Sequence, residues 1–151
     1  MDIRSGGLDH PDVQALLLHH LTQARATAPT EFRHALDVTA LGADDVRFWT
    51  AWDGETLLGM AALRTIEPGH VEVKSMRTAP AALRRGVARA LLTHLIETAH
   101  AAGATRVSLE TGTHPMFDAA NRLYEATGFV DGPVFGGYPP SPHNRFMTLV
   151  L

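Results

Sequence analysis

Apolar residues recur three or four positions apart in four segments of the chain, and this spacing predicts four helices. The segments are HPDVQALLLHHLTQA, the shorter EFRHALDVTAL, VARALLTHLIETAHA and MFDAANRLYEATGF. Pro11 suits the first turn of the first helix, because its fixed backbone angle matches that of a helix. Gly42, Gly103 and Gly128 lie at the ends of the other three, where glycine commonly terminates a helix.

Between these helices, apolar runs and alternating patterns are typical of strands. The predicted strands are DDVRFWTAW, TLLGMAAL, HVEVKSMRT, TRVSLETG, FVDGPVFG and NRFMTLVL. Asp53-Gly54 joins the first two as a two-residue hairpin turn, and Glu67-Pro68-Gly69 marks the next turn. A helix connects HVEVKSMRT to TRVSLETG, so these two strands are expected to lie parallel in one sheet as a βαβ unit.

The composition restricts the size and the class of the protein. With 151 residues and 45% apolar content, the chain is long enough for one packed domain, which we expect to span residues 1–151. No apolar run is long enough to cross a membrane and the first residues do not resemble a secretion signal, so we expect a cytoplasmic protein without a membrane partner. The net charge of −3 and the absence of a basic stripe argue against a nucleic-acid partner.

The residue types in the chain exclude two kinds of site. There is no cysteine, which rules out disulfides, thiolate zinc sites and a cysteine nucleophile. The nine histidines do not form an HExxH motif, and the neighbouring His19 and His20 point apart on a helix. We therefore expect no metal site.

The stretch SMRTAPAALRRGVARALL leads from a strand into a helix through two arginines and a glycine. The start of a helix leaves backbone N–H groups unpaired and carries a partial positive charge, which favours a phosphate group. Gly86 has no side chain to block close approach, and Arg84, Arg85 and Arg89 can add charge-assisted hydrogen bonds to phosphate oxygens. The alternative is a solvated basic cap on an ordinary core helix.

Two motifs make the chain similar to a known superfamily. Leu83-Arg84-Arg85-Gly86-Val87-Ala88 resembles the cofactor loop of the GCN5-related N-acetyltransferase (GNAT) superfamily: Arg or Gln, two variable residues, Gly, one variable residue, Gly or Ala. Leu83 departs from this pattern at its first position. Leu123-Tyr124-Glu125, followed by Gly128-Phe129, matches a second pattern, and the order of predicted elements agrees over the whole chain. The segments VKSMRT, RRGVARALL and LYEATGF are similar to the branch described as amino-acid or indole-acetate acetyltransferases.

The resemblance implies an α/β (α+β) fold with a mixed central sheet of about six or seven strands, about four helices and a splayed pair of parallel strands at the cofactor site. It implies acetyl-coenzyme A (acetyl-CoA) as co-substrate, with backbone groups of one splayed strand holding the pantetheine arm. The residues implied to bind coenzyme A (CoA) are Met76, Arg77, Thr78, Leu83, Arg84, Arg85, Gly86, Val87, Ala88, Arg89 and Asn121. For Asn121 the alternative is an exposed helical position.

The candidate catalytic residues are Tyr124, in the second motif, and Glu72, on the central strand HVEVKSMRT. Tyr124 would give a proton to the leaving thiolate, and Glu72 would accept one from the attacking ammonium group. The alternatives are a packing aromatic at Tyr124 and a solvent-facing carboxylate at Glu72, in which case Glu110 is the candidate base. Candidate acceptor-binding residues are His34, Glu110 and Tyr138, with an ordinary surface position as the alternative for His34.

The function expected from these features is direct transfer of an acetyl group from acetyl-CoA to a primary amine of a small molecule or peptide, without a metal. Two alternatives remain: a non-catalytic acyl-CoA sensor without a productive acceptor pocket, and a different nucleotide-phosphate binder on the same βαβ unit. The absence of a phosphate loop with Lys-Ser/Thr weakens the second. The sequence leaves open which amine is the acceptor and whether the protein forms a homodimer.

Overall fold

The structure is a computed structural model that describes residues 1–27 and 37–151. The helices of this part of the chain are α1 (Pro11–Thr27), α2 (Val38–Leu41), α3 (Val87–Ala101) and α4 (Asp118–Thr127). The strands are β1 (Asp2–Ser5), β2 (Val46–Asp53), β3 (Thr56–Glu67), β4 (His70–Thr78), β5 (Arg106–Gly112), β6 (Val130–Asp131) and β7 (Asn144–Val150). They form one seven-stranded mixed sheet in the order β1-β2-β3-β4-β5-β7-β6. The predicted α/β fold with a mixed sheet is confirmed.

The β2–β3 hairpin turns where the sequence predicts it. Asp53 pairs with Thr56 across the turn, and Gly54 has a left-handed φ of 58°, which glycine adopts without strain. The first strand was not predicted. β1 pairs antiparallel with β2 over its whole length, although its residues DIRS contain a single apolar side chain. The free edge of β2, rather than an apolar pattern in β1, therefore accounts for this strand.

The second predicted helix, over residues 31–41, is described from Asp37 onward, and Asp37 is an extended N-cap rather than a helical residue. α2 begins after Asp37, whose side chain accepts a hydrogen bond from the backbone nitrogen of Ala40, and it ends at Gly42. This confirms the predicted end of the helix. The preceding residues 31–36 lie outside the described part of the chain.

The segment before β7 departs from the prediction. The sequence predicts a strand over FVDGPVFG, but only Val130–Asp131 pairs with β7. Pro133 has no backbone N–H to extend the ladder, and Gly136 and Gly137 both have positive φ. The prediction is therefore wrong beyond Asp131, and the following residues form a loop whose Tyr138 side chain reaches β4.

Apolar side chains cover both faces of the sheet. On the face that we call the α1 face, the buried residues of the helices, β2 and β3 are Val13, Leu16, Leu17, Leu41, Phe48, Trp52, Met60 and Ala62. On the opposite face, which we call the α3 face, the buried residues larger than alanine are Trp49, Leu58, Leu63, Val73, Val87, Leu91, Leu92, Leu95, Val107, Leu109, Tyr124, Phe129 and Met147. The sheet is thus enclosed between α1 and α2 on one side and α3 and α4 on the other.

β4 and β5 are parallel and are joined by α3, as predicted. Their pairing ends with Val73 opposite Leu109. β4 nevertheless continues to Thr78 and β5 to Gly112, so the two strands separate toward their carboxyl ends. The expected splayed pair of parallel strands is present, and it opens a gap between the two faces of the sheet.

A bulge in β4 lies directly after the last β4–β5 pair. Lys74 pairs with Ala62 of β3, but the next pair on this side joins Arg77 to Met60, so two residues of β4 oppose one of β3. Ser75, within the bulge, has a left-handed φ of 52°, which is uncommon outside glycine. Without the bulge, alternation along β4 from Lys74 would place Arg77 on the α3 face. The bulge places Arg77 on the α1 face, where its partner Met60 is buried.

Candidate active site

A row of charged side chains lies on the α1 face of β4. Lys74 and Arg77 pair with Ala62 and Met60, which both belong to the apolar cluster beneath α1. Glu72 lies two residues before Lys74 and therefore points to the same face. Strand alternation and the bulge together place one carboxylate and two cations along the edge where β5 separates from β4.

Glu72 is enclosed, with 1% of its surface exposed. The Tyr138 hydroxyl donates a hydrogen bond of 3.1 Å to Oε1 of Glu72. Oε2 lies 3.6 Å from the Lys74 ammonium nitrogen and has no hydrogen-bond partner among the described residues. Burial raises the pKa of the Glu72 carboxyl above its usual value, against the opposing effects of Lys74 and Tyr138. This carboxylate is therefore a stronger base than an exposed glutamate.

Tyr138, from the loop before β7, connects Lys74 to Glu72. The Lys74 ammonium donates a hydrogen bond of 2.9 Å to the Tyr138 hydroxyl, which in turn donates to Glu72. Burial and then the charge of Glu72 raise the pKa of Tyr138, so the phenol keeps its proton at neutral pH. Burial lowers the pKa of Lys74, while Glu72 and Glu110 act against this change. The three side chains form a continuous hydrogen-bond path that ends on the carboxylate.

Glu110, the alternative base, lies on the same face of the neighbouring strand. Ser108 pairs with Glu72 across β4 and β5, and Glu110 follows two residues later. Its carboxylate accepts a hydrogen bond from the side-chain nitrogen of Asn144. Glu110 is close enough to contribute to the raised pKa of Glu72. The structure thus brings both candidate bases into one cluster, and Glu72 is the more deeply buried of the two.

Tyr124 approaches this cluster from the α3 face. It lies on α4 with 8% of its surface exposed, and its ring meets that of Phe129 edge-on at a centroid distance of 6.0 Å. Burial raises the pKa of Tyr124 to about 12, and the Arg77 guanidinium acts in the opposite direction. Tyr124 and Arg77 influence each other from opposite faces because β4 and β5 have separated between them. The phenol is protonated at neutral pH and can donate a proton.

His20 and Lys74 are site residues that the sequence did not single out. His20 of α1 accepts a hydrogen bond of 3.0 Å at Nδ1 from Nε of Arg77. Burial, followed by the charges of Arg77 and Lys74, lowers the pKa of His20 to about 3, so the imidazole is neutral. Helical spacing offered a signal, because His20 lies one turn after the buried Leu16. For Lys74 the signal was its position two residues after Glu72 on one strand.

The predicted cofactor loop is exposed at the start of α3. The helix begins after Gly86, which has a left-handed φ of 78° and provides no side-chain cap. A Cβ at Gly86 would meet no atom within 4 Å, so the space before the helix is open. Arg84 and Arg89 are exposed there, and Arg85 lies 3.9 Å from Asp53. This open space, the N–H groups of the first helical turn and the arginines fit a phosphate-bearing cofactor.

The remaining predicted cofactor residues surround this loop. Leu83 is 60% exposed, whereas the side chain of Val87 is buried in the core and leaves only its backbone for a ligand. Ala88, in the first turn of α3, is half-buried. Met76 and Thr78 follow the last β4–β5 pair, so they lie on an edge of β4 that β5 does not cover.

Asn121 is held by the end of β5. Its Oδ1 accepts a hydrogen bond of 2.9 Å from Oγ1 of Thr111, and its Nδ2 donates one of 3.1 Å to the carbonyl oxygen of Gly112. The side chain therefore ties α4 to the far strand of the splayed pair, which places the Tyr124 helix relative to the gap. The cofactor contact of Asn121 stays a prediction.

Three other predictions concern the acceptor, metals and membranes. His34 lies outside the described residues. Residues 1–27 and 37–151 contain no group of three or more His, Cys, Asp or Glu side chains that could hold a metal ion. No helix in the described part of the chain is long and apolar enough to cross a membrane.

Comparison with known proteins assigns the family. Residues 14–129 match the acetyltransferase (GNAT) family. The chain is 45% identical over 149 residues to the N-acetyltransferase YedL of Escherichia coli (strain K12). The aligned region covers 99% of this chain and 94% of that protein. It is 38% identical over 124 residues to the IAA acetyltransferase of Azospirillum brasilense, covering 82% of this chain and 80% of that protein. The chain belongs to the GNAT family and is an acetyltransferase.

Solved structures agree with this fold. A protein of Klebsiella pneumoniae subsp. pneumoniae MGH 78578 superposes with a TM-score of 0.81 at 24% identity, covering 99% of this chain and 97% of that one. An acetyltransferase of Bacillus subtilis, solved in complex with CoA, superposes with a TM-score of 0.73 at 19% identity, again covering 99% and 97%. These likenesses confirm the predicted GNAT fold.

Proposed function

We propose that the protein transfers the acetyl group of acetyl-CoA directly to a primary amine of a small molecule or peptide. The observation that carries this proposal is the buried Glu72 carboxyl, with its raised pKa, beside the point where β4 and β5 separate. Tyr124, a protonated phenol, approaches from the other face. One site thus offers a base for the incoming amine and an acid for the outgoing thiolate. Membership of the GNAT family supports the same reaction.

The proposed CoA site consists of the start of α3 and the uncovered edge of β4. Arg84, Arg85, Gly86 and Arg89 would hold the phosphate groups, because the loop combines positive charge with open space. The residues that would border the rest of CoA are Met76, Arg77, Thr78, Leu83, Val87, Ala88 and Asn121. The likeness to a Bacillus subtilis acetyltransferase solved with CoA supports this assignment. When bound, acetyl-CoA supplies the acetyl thioester.

In the proposed reaction, Glu72 deprotonates the acceptor through Tyr138. Glu72 is enclosed, whereas Tyr138 is half-buried, so the Tyr138 hydroxyl is the part of the path that an acceptor can touch. The hydroxyl receives a proton from the ammonium group and passes its own proton over 3.1 Å to Oε1 of Glu72. Glu110 remains the alternative base, since it belongs to the same cluster.

Tyr124 acts on the leaving group. The neutral amine attacks the thioester carbonyl, the C–N bond forms, and the C–S bond breaks with its electron pair moving to sulfur. Tyr124 gives its proton to the sulfur and is reprotonated by the proton that the new amide nitrogen must lose. Arg77 lowers the pKa of Tyr124 and so stabilises the transient phenolate. The products are the N-acetyl compound, CoA as its thiol and one proton, which leaves from Glu72.

Several expectations about the whole protein rest on the sequence alone. They are a single domain over residues 1–151, a cytoplasmic location, and no metal, nucleic-acid or membrane partner. The oligomeric state is open between a monomer and a homodimer.

A panel of acceptors tests the proposed function. The protein is incubated with acetyl-CoA and amino acids, polyamines, aminoglycosides or peptides, while thiol release and product mass are followed. The proposal predicts that thiol release requires an acceptor and equals the amount of N-acetyl product. Thiol release without any acceptor would indicate a hydrolase. CoA binding without transfer to any acceptor would support the non-catalytic sensor.

A further inference from the structure

Arg77 carries a charge that no neighbouring carboxylate balances. Four arginines are partly buried among those whose side chains the structure describes, and the other three form ion pairs. Those pairs are Arg64–Asp45 at 3.5 Å, Arg106–Glu67 at 3.4 Å and Arg145–Asp131 at 2.6 Å. No carboxylate of the described residues lies within ion-pair distance of Arg77. Because enclosing an unpaired cation is unfavourable, this position is suited to an anion that arrives from outside.

The guanidinium of Arg77 is fixed in place but is mostly unused. Its Nε donates a hydrogen bond of 3.0 Å to Nδ1 of His20. His20 is neutral, so this contact orients the side chain without cancelling its charge. Among the described residues, none accepts a hydrogen bond from the two terminal nitrogens of Arg77. These nitrogens form a planar fork with parallel N–H donors, and a carboxylate matches that fork with two hydrogen bonds.

The position of Arg77 relates this anion to the transfer reaction. Arg77 follows the last β4–β5 pair on β4, so it lies at the gap between the two strands, and its charge acts on the pKa of Tyr124. It also shares the α1 face with Glu72 and Lys74. A group bound to Arg77 is therefore held at this gap, on the face of β4 that carries Glu72.

We propose that the acceptor is an α-amino acid or a closely related amino-carboxylate, whose carboxylate binds Arg77. In such a molecule the amine is only two bonds from the carboxylate carbon, so binding at Arg77 holds the amine next to Tyr124. Glu72 and Glu110 favour the ammonium end, while Lys74 and Arg77 repel acceptors with a second cation, such as polyamines. This inference rests on the proposed function and names the acceptor class of the same site.

The wild-type enzyme alone provides the first test. Primary α- and β-amino acids are compared with their carboxamides and with the amines that lack the carboxylate, under steady-state conditions. The value of kcat/KM for the best amino acid should exceed that of its carboxamide by about 10²-fold or more, because the carboxamide leaves the Arg77 fork unpaired. Transfer to carboxamides or simple amines with equal efficiency would overturn this inference and leave the proposed function intact. Transfer to no amine at all would contradict the proposed function itself.

Substitution of Arg77 then tests whether this residue causes the preference for the amino acid over its carboxamide. Arg77→Gln should lower kcat/KM for the amino acid by about 10²-fold more than for the carboxamide, because only the amino acid loses a contact to its carboxylate, whereas the effect of Arg77 on Tyr124 is lost for both. Arg77→Lys, which keeps the charge but not the fork, should retain part of the preference. Arg4→Gln is the matched control, because Arg4 is exposed on the edge strand β1 at the far end of the sheet.

A measurement of CoA binding shows which anion Arg77 holds: the carboxylate of the acceptor or a phosphate group of the cofactor. Calorimetry on Arg77→Gln should give a CoA dissociation constant within a factor of about 3 of the wild-type value, since a larger change would correspond to a lost charged contact. Weaker CoA binding with an unchanged preference for the amino acid over its carboxamide would overturn the inference. Thermal melting of each variant confirms that it is folded.

Discussion

Nε of Arg77 on β4 donates a 3.0 Å hydrogen bond to Nδ1 of His20 on α1. Because Nδ1 accepts, the imidazole must carry its proton on Nε2 and be neutral. Burial, followed by the charges of Arg77 and Lys74, lowers the pKa of His20 to about 3. The contact joins the first helix to the strand that carries Glu72, so the protonation of one imidazole affects how firmly the two are joined.

Stability is therefore expected to fall in acid through His20. Its pKa is 6.5 in the unfolded chain and about 3 in the folded protein, so its contribution is complete above pH 6.5 and is lost as the pH falls toward 3. Between these values the free energy of unfolding should decrease by about 1.4 kcal/mol per pH unit. Urea unfolding at several pH values between 7.5 and 4.5 follows the onset of this decrease and reaches its full slope below about pH 5.5.

A pair of variants isolates the contribution of His20. His20→Gln keeps an acceptor for Arg77 but does not titrate, so its slope should be smaller by about 1.4 kcal/mol per pH unit below about pH 5.5. His100→Gln, at an exposed position near the end of α3, should keep the wild-type slope. His70 is buried, and burial lowers its pKa too, so a residual slope in the same direction is expected in both variants. Equal slopes for the wild type and His20→Gln would contradict the assignment.

Glu72→Gln should lower the acetyl-transfer rate by roughly 10²-fold or more while CoA binding persists. Because burial raises the pKa of Glu72 above 4.5, the wild-type rate should begin to fall on the acid side at a pH above that value. This limb of the pH profile should disappear in the variant. Glu97→Gln, at an exposed position on α3, is the control and should behave like the wild type. A wild-type rate in Glu72→Gln, together with a loss in Glu110→Gln, would assign the base to Glu110.

Tyr138→Phe should move the acid limb of the pH profile to higher pH. The Tyr138 hydrogen bond lowers the pKa of Glu72 and so opposes the effect of burial. Without this hydrogen bond, the pKa of Glu72 should rise further. The rate should also fall, because protons must then reach Glu72 without the Tyr138 hydroxyl. Since Tyr138 also stacks on Phe146 at a centroid distance of 6.3 Å, an unchanged profile would show that its role is packing alone.

Two glycines at the ends of α3 test the cofactor loop. Gly86 and Gly103 have φ of 78° and 87°, and a Cβ at either would meet no atom within 4 Å. Glutamate causes backbone strain at both positions, but only Gly86→Glu adds bulk and negative charge at the proposed phosphate site. Gly86→Glu should weaken CoA binding at least tenfold, about 1.4 kcal/mol, and Gly103→Glu should not. Calorimetry measures the CoA affinity of both variants. Equal affinities would show that the loop is not part of the CoA site.

The parts of the fold that could be predicted are those with strong local patterns. The hairpin at Asp53-Gly54, the helix that begins after Gly86 and the parallel strands around it all follow from periodicity and turn chemistry. β1 could not be predicted, because its short polar sequence pairs only where β2 offers an edge. The strand predicted beyond Asp131 failed because a proline and two glycines interrupt it.

The candidate site, like the fold, could be predicted only in part from the sequence. The sequence indicated Tyr124 through its motif, Glu72 through its place on a central strand and Tyr138 through its place in a loop. The structure joins Glu72 and Tyr138 across 66 positions of sequence. The roles of Lys74 and His20 depend on what covers them in three dimensions. Alternation along a strand can place two polar residues on one face, but it cannot tell whether that face is solvated or enclosed.

The central claim is that Glu72 and Tyr124 carry out acetyl transfer, and Tyr124→Phe tests it most directly. The variant removes only a hydroxyl and leaves the ring to pack against Phe129, so thermal stability and CoA affinity should change little. The decisive measurement is the single-turnover rate of acetyl transfer under conditions in which chemistry limits the rate. We predict a decrease of about 10²–10⁴-fold, because the leaving thiolate loses its positioned proton donor. A wild-type rate in the folded, CoA-binding variant would contradict the account.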